Sequence, residues 1–488
     1  MAKKNRRATS NFKANFYDGG KKTLANRDFY NAINDFEATA TPDRDTLRAR
    51  ARWIHENNPI IANIDRTISA NVVGGGIKFQ FKIGGEQEDD SAKALNDEIE
   101  TAWEYAKENL DITGRDHFDE MCKIALKGRF MDGENLFYLP YVKDGSQVNL
   151  KIQALEVDRF ALGSFNTENG LFYDGVETDK YGRVVAYHLQ NNLFRAANIK
   201  GQQVESDVRL DAKDVLYFYK RDNRPTQYRG ISEYKQVITD LKNFAAQMRA
   251  TIEAARSRAN IAYAMVTNNV PQANAFQRED REPIEEINGI FVRYLNQGEK
   301  LEVLDPKIAD DNFDAFVRTV VRLIATGRSV SYELAFRDYA QVNYSSGRMS
   351  WLQDYKLFDE EFLHFTRNFY KPIFMRWLEF EALKGSFKYL TYEKFKQLKP
   401  IIATRAIKLY PPKREWVDPL KESKAIATEL EYNTTTLEAV YAKRGLDWQE
   451  EIRQIAAENE FLAKHGLTRF NNAKLIVDTR EEKEENNE

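Results

Sequence analysis

The chain has 488 residues, 72 basic against 75 acidic side chains for a formal net charge of −3, 42% hydrophobic residues and 12% aromatics. Such apolar content excludes wholesale disorder, and near-neutrality excludes a protein that coats DNA through bulk positive charge. No apolar run approaches the ~18–20 residues of a membrane helix, the N-terminus lacks a signal-peptide core, and the single Cys122 excludes an intramolecular disulfide framework and a multi-cysteine zinc site. The expected class is a soluble, multi-segment protein made in the cytoplasm.

Residues 1–27 carry Lys3, Lys4, Arg6, Arg7, Lys13, Lys21, Lys22 and Arg27 against Asp18 alone, whereas the C-terminus ends EEKEENNE. Both ends read as solvated tails, with nucleic acid or a partner protein as the sharper alternative. Thr41-Pro42-Asp43 predicts a helix start, Asn58-Pro59 a second one, and Gly74-Gly75-Gly76 its end before an alternating strand over 77–83. Helices over 91–109 and 116–128 lead into a β-rich stretch from about 134 to 220.

Residues 231–262 read as one long helix, with Tyr234, Val237, Leu241, Phe244 and Met248 recurring at steps of three or four. At 1.5 Å per residue it would run roughly 45–50 Å. Its opposite edge carries Lys235, Lys242, Arg249 and Arg256, one basic residue every seven positions. After an irregular 266–308 stretch come a helix over 311–326 and a polar connection. A very long helix over 346–383 follows, in which Pro372 predicts a bend. Helices near 419–431 and 447–465 close the chain.

Catalytic signatures are missing. No G-x-x-x-x-G-K-[ST] phosphate loop occurs, the triple glycine sits between helix and strand in the wrong order for a dinucleotide fingerprint, and His55-Glu56-Asn57-Asn58-Pro59 breaks the H-E-x-x-H zinc pattern. The five histidines are scattered, there is no G-x-S-x-G elbow, and Cys122 reads as a buried small hydrophobe. The expectation is no enzyme, no catalytic or metal-binding residues and no cofactor. Two readings of the basic stripe remain: a solvated face partly neutralised by Glu233, Asp240 and Glu253, or a positive stripe facing a polyanion. The alanine-rich long helix points toward self-association.

Six blocks carry a family resemblance in the right order over roughly residues 45–465: NNPIIANIDRTISANVVGGGIKFQ, LEVDRF with YDGVETDKYGRVVAYH, YRGISEYKQVI, DNFDAFVRTVVRLIATG, VNYSSGRMSWLQ and WVDPLKE. Together they resemble the lambda-type phage portal family. The resemblance implies an α+β portal fold with an α/β wing, a long-helix stem, a clip insertion and a helical C-terminal crown. Mapped onto this chain, it implies a basic N-terminal tail over 1–41, wing over 42–230, stem helices over 231–262 and 309–327, and a clip over 263–308. A tunnel loop over 328–347, the long wing helix and wing return over 348–415, a crown over 416–470 and an acidic tail over 471–488 complete it. Gly327-Arg328-Ser329-Val330-Ser331 departs from the family by its polarity.

The function implied is a homo-oligomeric ring of about twelve subunits at one capsid vertex of the virion, assembled in the host cytoplasm. It would nucleate head assembly with major capsid and scaffolding proteins and dock the terminase large subunit. It would also pass double-stranded DNA without sequence preference and carry the head-completion and tail connector proteins, with no membrane partner. DNA-channel candidates are Arg328, Arg337, Gln341, Asn343, Tyr344, Ser345 and Arg348 of the loop, with Lys235, Lys242, Arg249 and Arg256 of the stem. The rival readings are a metal-dependent DNA-processing enzyme and a capsid or connector component without a DNA channel.

Overall fold

A computed structural model describes residues 35–467 except 84–89, 144–147, 169, 191–207, 261–263, 267–284, 288–289, 296–312, 414–418 and 445. Residues 1–34, most of 263–308 and the 471–488 tail, each assigned a role above, lie outside the described residues.

The helices are α1 (Phe36–Asn57), α2 (Pro59–Val72), α3 (Asp90–Lys107), α4 (Phe118–Asp132), α5 (Ile238–Asn260), α6 (Phe313–Gly327), α7 (Tyr332–Phe336) and α8 (Tyr344–Phe365). They continue with α9 (Lys371–Lys384), α10 (Tyr392–Ile401), α11 (Pro419–Glu431), α12 (Leu437–Lys443) and α13 (Trp448–Lys464). The strands are β1 (Lys78–Phe81), β2 (Glu134–Tyr138), β3 (Gln153–Leu155), β4 (Ser164–Thr167), β5 (Gly170–Tyr173), β6 (Val176–Thr178) and β7 (Val184–Leu189). Later come β8 (Val208–Asp211), β9 (Val215–Tyr219), β10 (Ala264–Val266), β11 (Glu285–Ile287), β12 (Ile290–Leu295) and β13 (Ile407–Tyr410).

Helices and small, mostly antiparallel sheets mix as the α+β reading expects. β4 to β8 form a five-stranded meander, β3-β2-β9 a second sheet and β10-β12-β11 a third, while β1 pairs with β13 so that Lys78 stands opposite Tyr410. The main core gathers Ile61, Ile64 and Ile68 of α2, Trp103 of α3, Phe118 of α4 and Phe369, Phe374 and Trp377 of the long helix. A smaller core around Phe160, Val176, Tyr187 and Val215 lies under the meander.

Two helix starts differ from expectation, and the long helix carries an irregularity inside it. Helix α1 starts at Phe36 and carries Pro42 inside it. Its first turn is held by tertiary partners: Thr226 Oγ1 accepts from the Phe36 amide at 3.0 Å, and Glu37 accepts from the Tyr228 and Arg229 amides at 2.7 and 2.9 Å. Those contacts offset the amide hydrogen bond that Pro42 removes. Helix α5 begins at Ile238 rather than 231, because residues 231–237 form turns packed on α4; at 23 residues it is ~34 Å long. In the long helix the irregularity is a π turn over Thr366–Tyr370, just before Pro372. The widened turn accommodates the proline, which has no amide to donate and would crowd the preceding carbonyl.

Candidate nucleic-acid interface

One feature with the charge to meet a polyanion is the outer face of α5. Lys242, Arg249 and Arg256 are all exposed, and residues seven apart drift only ~20° around a helix, so they share one edge over ~21 Å. No carboxylate among the described residues pairs with them. The inner face explains the orientation: Leu241 and Phe244 are buried in the core and Met248 packs against it, whereas Ile252, one turn further, is 48% exposed. The helix therefore leaves the body beyond Met248.

Lys235 is corrected. It lies in the turn before α5, half-buried, and its Nζ donates to Asn223 Oδ1 at 2.8 Å. The stripe thus has three helical members.

Arg328 is corrected as well: expected on an exposed loop, it is 5% exposed. It follows directly on α6, where its Nη2 lies 3.1 Å from Asp65 Oδ1 of α2 and its Nη1 contacts Glu233 Oε2. Its guanidinium lies over the Phe130 and Tyr234 rings. Glu233 also takes Arg129 Nη1 at 2.6 Å, and Arg129 reaches on to Glu361 of α8, which accepts Lys220 Nζ at 3.0 Å. Burial alone would raise the Glu233 carboxyl, but Arg129 and Arg328 hold it down to about 2. Burial and the Asp65 carboxylate push the Tyr234 phenol up, and its hydroxyl donates to Asp65. The entry to α5 and the exit from α6 are thus clasped by one buried charge cluster. Gly327 completes the clasp: a Cβ there would lie 2.4 Å from Val237 Cγ1.

The polar connection after α6 is tethered rather than free. Ser331 caps α7, and its amide and hydroxyl bond Asp354 at 2.8 and 2.6 Å. Asn63 of α2 donates to the Leu334 and Ala335 carbonyls at 2.9 and 3.2 Å and accepts from Arg337 Nε at 2.9 Å. Arg337 adopts φ 56° as the left-handed cap of α7. Asn343 caps α8, in a reciprocal box with Ser346. Arg337, Gln341, Asn343, Ser345 and Arg348 are exposed, and the Tyr344 side chain lies outside the described residues. Of the eleven candidate residues, the structure exposes eight, buries Arg328 and removes Lys235 from the helix.

Sequence reasoning missed the charge cluster, although a signal existed. Asp65 interrupts the Ile61–Ile64–Ile68 stripe and Glu361 the Phe358–Phe362–Phe365 stripe, so each is a charge on a face that must be buried.

Among the described residues no group of three or more His, Cys, Asp or Glu side chains is placed to hold a metal ion. None of the described helices is long and apolar enough to cross a membrane. Cys122 is buried, and burial pushes its thiol well up.

The family model "Phage portal protein, lambda family" matches residues 24–361. A probable portal protein of Halomonas phage phiHAP-1 is 25% identical over 444 residues, covering 87% of this chain and 82% of that protein. Portal protein B of Escherichia phage lambda is 21% identical, covering 86% and 85%. Among solved structures, a chain in the neck of an empty gene transfer agent particle aligns over 88% of this chain and 94% of its own, at 13% identity and a TM-score of 0.40.

Proposed function

The chain belongs to the lambda family of phage portal proteins, and from that premise we propose that it is a structural component of the virion at the head–tail junction, where its copies form a ring that conducts double-stranded DNA. In this reading α5 and α6 are the stem, 263–308 the clip, 328–347 the tunnel segment and the helices from about 416 to 470 the crown, with the wing around them. A ring of about twelve subunits would repeat the α5 stripe as stacked circles of positive charge. The observation that carries the reading is the outward edge of Lys242, Arg249 and Arg256, aimed by the clasp at the helix entry.

Contacts to DNA would be phosphate-directed, salt-dependent and blind to sequence. Arg337, Gln341, Asn343, Tyr344, Ser345 and Arg348 remain candidates for the tunnel surface. Arg328 serves instead as the internal cation that fixes it. The chain acts as a passive conduit in this reading. ATP hydrolysis belongs to a terminase large subunit docked on the ring, with capsid, scaffolding and head-completion proteins as the other partners. Class-averaged electron micrographs of the purified protein test the proposal. Rings with a central hole wide enough for a duplex (~20 Å) support it, and discs without a hole or unassembled monomers overturn it.

A further inference from the structure

One strongly charged surface plays no part in the reading above. Residues 388–408 carry Lys388, Lys394, Lys396, Lys399, Arg405 and Lys408 against the single acid Glu393, in a chain whose overall charge is −3. All six basic side chains are exposed, Lys388 in the connection before α10 and the others on α10, the π turn that follows it and β13. Three have carboxylates nearby: Lys396 with Glu393 at 3.1 Å, Lys399 with Glu379 at 3.3 Å and Lys408 with Glu438 at 4.0 Å. The side chains of Lys388, Lys394 and Arg405 pair with no carboxylate among the described residues, although Glu98 of α3 accepts from the Lys388 amide at 2.8 Å; the Lys388 side chain lies over the Tyr389 ring and Lys394 donates to the Tyr389 carbonyl. Crowding extends to the long helix. Burial, together with the charges of Arg367 and Lys408, pushes the Lys371 ammonium down. Like charges gathered with so little internal compensation form a surface suited to an acidic segment.

The chain supplies one of its own. Residues 478–488 contain Asp478, Glu481, Glu482, Glu484, Glu485 and Glu488 against Arg480 and Lys483. Helix α13 begins beside the basic surface: β13 pairs with β1, Lys82 next to β1 lies 3.0 Å from Asp447, the cap of α13, and Lys408 reaches Glu438 of α12. The 17 residues of α13 span ~25 Å, and the eleven residues after Leu467, as far as Asp478, can extend ~36 Å, enough to run back along the helix. We propose that the acidic segment 478–488 docks electrostatically on the basic band 388–408 and competes there with other polyanions. The tether keeps the segment at a high effective concentration, so a weak, salt-sensitive contact suffices to occupy the band.

The experiment uses the full-length protein. Zero-length carbodiimide cross-linking followed by peptide mass spectrometry should join Glu481–Glu488 to Lys388, Lys394, Lys396 or Lys399 at low salt and lose those products at about 0.5 M NaCl. The variant E481Q/E482Q/E484Q/E485Q should raise the acetylation rates of Lys388 and Lys394 by about threefold or more. Cross-links that run instead to Lys242 or to the lysines of residues 3–22, or their absence, overturn the proposal. Acetylation rates equal in the two proteins overturn it too. If a 30-base-pair duplex protects the band equally in both, the surface is a nucleic-acid face and the acidic segment does not occupy it.

Discussion

Glu134 is fully buried at the start of β2, yet it stays ionised because four donors converge on it. Arg229 bonds both carboxylate oxygens at 2.6 and 2.9 Å, Arg48 Nη2 lies at 2.9 Å, the Gly230 amide at 2.8 Å, and the Tyr217 hydroxyl donates as well. Burial would raise this carboxyl, but Arg229 and then Arg48 hold it down to about 2. Its folded value lies below its unfolded one, so its contribution is fully present above about pH 4.5 and is lost as pH falls toward 2. Glu233 has the same sign and the same window. Acid unfolding monitored by circular dichroism should therefore steepen between about pH 4.5 and 2. Glu134→Gln should cost about 3 kcal/mol or more in urea denaturation at pH 7, because it leaves Arg48 and Arg229 buried beside a neutral amide. A loss under 1 kcal/mol would mean that the arginines find other carboxylates.

Helices meet at two junctions that carry their own tests. At the α5–α6 clasp, Gly327→Ala places a methyl group against Val237, and overpacking there should cost about 1–3 kcal/mol of thermal stability. The double variant with Val237→Ala should recover part of that loss, since it removes the opposing methyl; no recovery would show that the glycine answers to something other than this contact. At the start of α13, Glu100 of α3 accepts from the Phe81 amide at 2.5 Å and faces Lys82, Lys93, Asp97, Asp447, Glu450 and Arg453 across a narrow cleft. Burial, against that amide bond and reinforced by Glu450, Asp97 and Asp447, raises the Glu100 carboxyl to about 7. Here the sign is reversed. Packing of α13 is firmest when Glu100 is protonated and weakens as pH rises from about 4.5 through 7. Amide exchange over α13, corrected for the intrinsic pH dependence, should show protection falling across that range in the natural protein and staying flat in Glu100→Gln. A matching fall in the variant rules the carboxyl out as the cause.

For the whole molecule, exposure and net charge act at different scales. The chain is nearly neutral, while Lys242, Arg249 and Arg256 line up on one projecting helix and a basic band covers α10 and β13. Replacing the three α5 residues with Gln should leave the fold intact, because none makes an ion pair with a described residue, and should lower packaging yield or DNA retention in assembled particles. Particles that fail to assemble, with subunits still folded, would identify those side chains as contacts between neighbouring copies.

Local signals carried much of the architecture. Asn58-Pro59 starts α2 because its carboxamide accepts from the Ile60 and Ile61 amides, and the steps of three and four in 313–327 and 344–384 mark helices because a buried face must recur with the helical turn. The ordered family blocks carried the identity. What local pattern could not decide was set by partners distant in sequence: Glu37 and Thr226 move the start of α1 past a proline, α4 takes residues 231–237 into turns, and β1 finds β13. Arg328 is the clearest case, since a polar neighbourhood reads as exposed surface until Asp65 and Glu233 arrive from other elements. Periodicity reports which face of a segment is apolar. Whether a charge on such a segment meets water or a carboxylate is decided only when the chain closes on itself, because desolvation and pairing depend on three-dimensional neighbours.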